Sequence, residues 1–313
     1  MLIVRIGIPW EASMRFGVNI LNFGAGAGPA SLLAWARFAE ERTFDFAMIS
    51  DHVAITPDVA EQYPAPFYDP FATLAWLAGQ IARIEIGTTV AIVPYRHPLH
   101  IARLAANIDR FTGGRFILGV GVSGMRQEYA SLGLPFHLRG AVTDEYLEVI
   151  TRAWTEETIS FYGKFVSCES VSTGPHPVRR LPIWVGGASE AAIRRSVRFG
   201  DAWHPLNQRI SWLRERGVPA LRRAADSAGR PLPALAPRLP LRLTSEPLDD
   251  DNRLAGQGTL DQIRRDIEEL AELGATHVLF DTYPGTPSQL RPSAEDHRML
   301  GVLADHVLPL QRG

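Results

Sequence analysis

Short apolar runs alternate with amphipathic helical stretches along nearly the whole chain, and this alternation restricts the fold more than any other feature. Runs such as Phe116 to Val120 and Val278 to Phe280 are apolar without a break. Both faces of such strands need cover, which points to a parallel sheet flanked by helices. The spacing predicts strands over 15–19, 46–49, 84–93, 115–120, 182–185, 201–203, 239–244 and 276–280, with helices over 31–41, 70–81, 99–110, 143–154, 189–199, 212–228, 259–273 and 293–307. Thr259 reads as an N-cap, Leu260, Ile263, Ile267 and Leu270 as the buried stripe behind it, and Gly274 as the stop. The partly alternating stretch 159–171, with Tyr162-Gly163-Lys164 inside it, reads as a hairpin, which makes 156–181 an insertion and not a domain. A polar, mobile loop is expected over 249–258. Eight strand–helix units close most economically as one α/β domain, a (β/α)8 TIM barrel over residues 1–313, although a doubly wound open sheet shares the local pattern. Residues 1–13 read as an N-terminal extension: an extra edge strand, or an over-extended start ahead of Met14.

Composition narrows the class. Lys plus Arg number 32 and Asp plus Glu 34, a net charge of −2, so this is no polybasic nucleic-acid binder. The single cysteine, Cys168, excludes an intramolecular disulfide and a cysteine-rich metal centre, and it has no partner for nucleophilic chemistry. His97 and His100 are three apart but lack a convergent acid or thiol, so they read as packing or polar contacts and no metal is expected. The opening Met1 to Trp10 is too short and interrupted for a secretory core, and no stretch approaches a membrane span. The expectation is a cytoplasmic protein with a small-molecule substrate and neither nucleic-acid nor membrane partners.

Barrel enzymes place reacting groups where strands end. Ser50-Asp51-His52 follow the second strand, and an imidazole there can do acid–base work near neutrality; the bland alternative is an Asp bonded to its own backbone beside a packing His. Gly119-Val120-Gly121-Val122-Ser123-Gly124 fits G-x-G-x-x-G formally, but it follows a fourth strand and leads into a loop with Gly133 and Pro135, which a dinucleotide fingerprint does not. Gly121, Ser123 and Gly124 are read instead as permitting close approach of a cofactor, with Glu128 supporting the loop or an Arg. Gly186-Gly187, followed by Ala188 and Ser189 at a helix start, form either an anion seat or a simple turn. Trp203 and His204 end the sixth strand facing the same mouth, and Arg194 and Arg195 default to solvated surface.

Four segments together resemble the luciferase-like superfamily of flavin and deazaflavin oxidoreductases, in particular its coenzyme F420-dependent branch. They are Ser50-Asp51-His52; Ile86-Gly87-Thr88-Thr89-Val90 with Pro94-Tyr95-Arg96-His97-Pro98; Gly113-Gly114-Arg115-Phe116 through Gly121; and Pro182-Ile183-Trp184-Val185-Gly186-Gly187. The resemblance implies catalytic roles for His52 and Asp51. It implies cofactor contacts at Ser50, Asp51, Thr88, Thr89, Val90, Gly121, Ser123, Gly124, Gly186, Gly187, Ala188 and Trp203, with a non-prolyl cis bond at Thr89–Val90 against the cofactor ring. It further implies a homodimer and hydride exchange between F420 and a small organic substrate. The same scaffold with FMN would be a monooxygenase, and a barrel that binds without catalysis is the remaining class. Sugar-phosphate dehydrogenases of this group carry a catalytic Glu where this chain has Gly124, which argues against that substrate.

Overall fold

The computed structural model describes residues 14–308, so the expected extension over 1–13 lies outside the described residues. Eight parallel strands close on themselves: β1 (Arg15–Ile20), β2 (Phe46–Ile49), β3 (Glu85–Thr88), β4 (Phe116–Gly121), β5 (Ile183–Gly186), β6 (Ala202–His204), β7 (Ala234–Leu235 and Arg238–Pro240) and β8 (His277–Asp281). Each pairs with the next, and β8 returns to β1 with His277 opposite Arg15. The closure is that of a barrel, not an open doubly wound sheet. Helices α1 (Pro29–Glu41), α2 (Pro70–Ala78), α3 (Pro98–Thr112), α4 (Arg139–Thr155), α5 (Glu190–Phe199), α6 (Val218–Ala228), α7 (Leu260–Glu272) and α8 (Ser293–His306) alternate with the strands. Among the described residues no helix is long and apolar enough to cross a membrane.

The seventh strand differs from expectation. It runs over 234–240 and not 239–244, because Pro233, Pro237 and Pro240 disguise it as a loop. Alternate residues of a strand turn their polar groups to opposite neighbours. Ala234, Ala236 and Arg238 donate to the carbonyls of Asp201, Trp203 and Pro205, while the carbonyls of Leu235 and Pro237 accept from Thr276 and Leu279. Pro237 therefore lacks a donor but still serves the β8 side. Arg242–Leu243 pair instead with Gln257–Gly258. The third strand is also shorter than expected: it stops at Thr88, the Thr89–Val90 bond is cis, and Ala91–Ile92 run on beside β4.

The barrel interior is a plug of its own, formed by Phe46, Met48, Ile117, Trp184, Ala202, Ala236 and Leu279, apart from the shell of apolar residues under the helices. Gly17 makes room for this plug, since a Cβ there would lie 2.3 Å from the Phe46 ring. Helix starts follow the sequence: Asp69 caps α2, Ser189 caps α5, and Thr259 forms a reciprocal capping box with Gln262 at α7. The insertion is an antiparallel hairpin, Thr158–Tyr162 with Ser167–Ser172, whose turn is gripped by Glu145 through the amides of Lys164, Phe165 and Val166. The loop expected to be mobile is pinned: the Arg253 guanidinium donates to both carboxylate oxygens of buried Asp266, at 2.6 and 2.7 Å.

The tight fit at Gly17 sets a test. Gly17→Ala should cost about 1–3 kcal/mol in urea unfolding, and the double variant Gly17→Ala/Phe46→Leu should be less destabilised than the sum of the two singles.

Candidate functional site

The parallel strands all deliver their C-terminal ends to one mouth, so Ser50-Asp51-His52, Thr88-Thr89-Val90, Gly121 to Gly124 and Gly186 to Ala188 gather there. Their side chains divide into those that face the mouth and those that hold it in shape. Asp51 belongs to the second group, a correction to its expected catalytic role. Its side chain is 0% exposed, it accepts Arg96 Nη1 and Nη2 at 2.6 and 2.9 Å, and it takes the Ile92 amide at 2.9 Å. Burial pushes the Asp51 carboxyl up and the Arg96 guanidinium opposes that rise. Arg96 also binds Asp69, the cap of α2, so one cation ties the end of β2 to the start of the next helix. Ser50 is likewise turned inward, with its hydroxyl 3.4 Å from the Thr89 carbonyl oxygen.

His52 keeps a small exposed fraction, 8% of its side chain. Its Nδ1 lies 2.7 Å from Glu128 Oε2, and because a carboxylate only accepts, the ring proton belongs on Nδ1 and Nε2 is the free nitrogen. Glu128 is fully buried and also accepts from the Tyr95 hydroxyl and the Val53 and Ala54 amides. Burial alone would raise this carboxyl; the bonds from His52, Val53 and Tyr95 outweigh it and hold the group below the ordinary value. Glu128 thus supports a loop, as expected, but its other partner is His52 and not an Arg. The imidazole is walled by the rings of Tyr63 and Phe67, which join Phe23 and Tyr283 in one aromatic cluster. The Tyr283 hydroxyl donates to the Gln62 carbonyl, and Phe23 and Phe67 share a backbone bridge.

Beyond the cis bond, Val90 rises over a bed of glycines. A Cβ at Gly121 would lie 2.4 Å from Val90 Cγ2 and one at Gly186 3.0 Å from Cγ1, while at Gly119 it would strike the Thr88 carbonyl oxygen at 1.9 Å. The space left by a missing side chain at Gly121 therefore seats Val90. At Gly124 a Cβ would meet nothing within 4 Å, and Ser123 adopts a left-handed φ of 55°. Thr88 donates to the Gly119 carbonyl at 2.6 Å, so its side chain is spent on the β3–β4 seam.

Beneath Thr89 lies a buried polar floor that the sequence reading missed. Arg238 Nη1 donates to the Thr89 carbonyl at 2.8 Å, while its Nε and Nη2 bind Asp281 Oδ2 at 3.0 and 2.6 Å. Asn19 donates to the other oxygen of Asp281 at 2.9 Å. The Thr89 hydroxyl meets His204 Nε2 at 2.9 Å, and His204 Nδ1 meets the Ala236 carbonyl. Burial holds the His204 imidazole down to about 4, so the neutral ring donates from Nδ1 and accepts at Nε2. Arg238 was hidden between two prolines, and Asn19 and Asp281 lie in runs that read as plain strand or its end.

At β5 the chain leaves through Gly187, at a φ of 104° that favours glycine, into the start of α5. Trp203 is fully buried and donates from Nε1 to the Gly187 carbonyl at 2.7 Å, so it braces this loop and does not wall the mouth, a second correction. Ser189 takes the Ala192 amide, while the preceding amides of the first turn lack intrahelical acceptors.

Neutral burial of His204 makes stability depend on pH. The unfolded ring takes a proton near its ordinary value of 6.5 and the folded one only near 4, so unfolding free energy should fall as pH drops through that window. The slope is about 1.4 kcal/mol per pH unit for this group. His204→Gln should flatten that limb in urea titrations repeated across the window, and an unchanged slope would contradict a neutral buried ring.

Comparison with known proteins agrees with this architecture. The family model described as luciferase-like monooxygenase matches residues 14–246. An uncharacterized protein of Mycobacterium tuberculosis is 30% identical over 180 residues, 54% of this chain and 62% of that protein, so the match spans less than two thirds of that relative. The F420-dependent glucose-6-phosphate dehydrogenase of Nakamurella multipartita is 31% identical over 240 residues, 74% of this chain and 68% of the relative. The coenzyme F420-dependent tetrahydromethanopterin reductase of Methanopyrus kandleri superimposes with a TM-score of 0.77 over 96% of this chain and 99% of its own, at 18% identity, a likeness of fold. With a family model covering most of its length, this chain belongs to the luciferase-like monooxygenase family of enzymes.

Proposed function

We propose that this enzyme is a coenzyme F420-dependent oxidoreductase that exchanges hydride between the deazaflavin and a small organic substrate. The observation that carries the reading is the Val90 platform: an apolar side chain raised on glycines from two neighbouring strands, with the Thr89 carbonyl beneath it held by buried Arg238. A planar ring needs a firm apolar wall, and side chains locked by packing and hydrogen bonds supply one. The residues fit such a group. Val90 would back the ring, Ser123 and Gly124 would border it, and the Gly187-Ala188 turn with the first amides of α5 would hold an anionic tail.

When bound, the deazaflavin supplies a carbon that gives or takes hydride. Val90 fixes the plane and, with the aromatic cluster, keeps water from it. His52 holds a proton at Nδ1 and presents Nε2 for exchange with a substrate oxygen. The resemblance implies an acid at the position of Gly124 in sugar-phosphate enzymes; a side chain would have room there and this chain has none, which supports a substrate other than a sugar phosphate.

Absorbance and fluorescence titration of the purified protein should show tight binding of F420 and negligible binding of FMN; the reverse would overturn the assignment in favour of an FMN monooxygenase. Gly121→Ala, which forces Val90 from its seat, should weaken F420 binding by about tenfold or more, corresponding to about 1–3 kcal/mol of displaced packing, with circular dichroism unchanged.

A further inference from the structure

A carboxylate offers about four acceptor sites, and Glu128 has all of them filled by other mouth loops. Oε2 takes His52 Nδ1 at 2.7 Å and the Tyr95 hydroxyl at 2.8 Å; Oε1 takes the amides of Val53 at 2.7 Å and Ala54 at 3.1 Å. The donors come from the loops after β2 and β3, while Glu128 itself stands on the short helix Arg126–Ser131 after β4. Burying a carboxylate completely is costly unless its bonds are good, and here the two oxygens divide the work. Oε1 ties down the chain beyond His52. Oε2 faces the ring and sets which nitrogen carries the proton.

We infer that Glu128 is a positioning residue for His52: it fixes the Nδ1–H tautomer so that Nε2 is the atom that exchanges a proton with the substrate. This rests on the function proposed above. In the oxidative direction Nε2 would take the proton of a substrate hydroxyl, and a bound deazaflavin would supply the acceptor for the hydride that leaves the same carbon as its C–O bond becomes a carbonyl. The ring would then bear both N–H bonds and a positive charge that the Glu128 carboxylate faces, and in reduction Nε2 would give the same proton back. Without Glu128 the neutral ring is free to place its proton on Nε2, where it opposes acceptance of another.

Glutamine separates this role from simple loop support. In Glu128→Gln the amide oxygen can still take the Val53 and Ala54 amides, but the amide nitrogen donates, so it forces the His52 proton from Nδ1 to Nε2 while the Tyr95 hydroxyl turns to accept. Long-range proton–nitrogen correlation spectra of protein labelled with ¹⁵N-histidine read the tautomer directly, with His52 assigned by its loss in His52→Gln. The wild type should show Nδ1 protonated and Nε2 bare, the Glu128→Gln variant the reverse. Turnover of Glu128→Gln should fall about a hundredfold or more, in kcat rather than KM, with F420 affinity kept within about twofold. A wild-type ring protonated on Nε2 would overturn the inference without any variant, and so would a folded Glu128→Gln protein whose tautomer or kcat is unchanged. If F420 does not bind, the function proposed above fails while the tautomer measurement still decides the role of Glu128 toward His52.

Discussion

A guanidinium shut away from water must put its N–H groups on acceptors that do not move, and Arg238 does this across the barrel. From β7 it reaches Asp281 on β8 and the carbonyl of Thr89 at the end of β3, and the same Thr89 hydroxyl meets His204 from β6. Five strands are thereby locked at one level, since Asn19 of β1 completes the Asp281 shell. The platform above inherits its rigidity from this floor. Removing the cation would leave a buried carboxylate uncompensated, the kind of loss that costs about 3–5 kcal/mol. The ion pair therefore sets the geometry of the mouth as much as it stabilises the barrel.

Much of the fold was legible because parallel strands and their cover helices leave periodic patterns. Apolar runs located seven of the strands, and Thr259 and Gly274 marked the ends of α7 through ordinary capping chemistry. The seventh strand was hidden because its prolines read as loop, and only the alternation of hydrogen-bonding sides shows how a proline at 237 is tolerated. The third was overextended because Thr89 and Val90 are good strand residues whose departure from the sheet is set by neighbours on β2, β4 and β7. The polar loop over 249–258 looked free because its tie, Arg253 to Asp266, joins segments that composition does not connect.

At the site, the residues that the resemblance picks out gather at one mouth, and their side chains divide between it and the frame behind it. His52 and Val90 remain at the mouth. Ser50, Asp51, Thr88 and Trp203 are consumed by inward bonds, and Gly121 serves Val90. A motif records that a residue type is needed at a position and is silent on which way it points. Partners such as Glu128, Tyr95 and Arg96 lie dozens of residues from His52 and Asp51, and only closure of the barrel brings them together.

The aromatic cluster gives the mouth a handedness. Phe23, Tyr63, Phe67 and Tyr283 come from the loops after β1, β2 and β8, and ring contacts, a backbone bridge and the Tyr283 hydroxyl bond weld those loops into one body. Parting them for each passage of a molecule would mean breaking all of these at once. That flank is a wall and not a door.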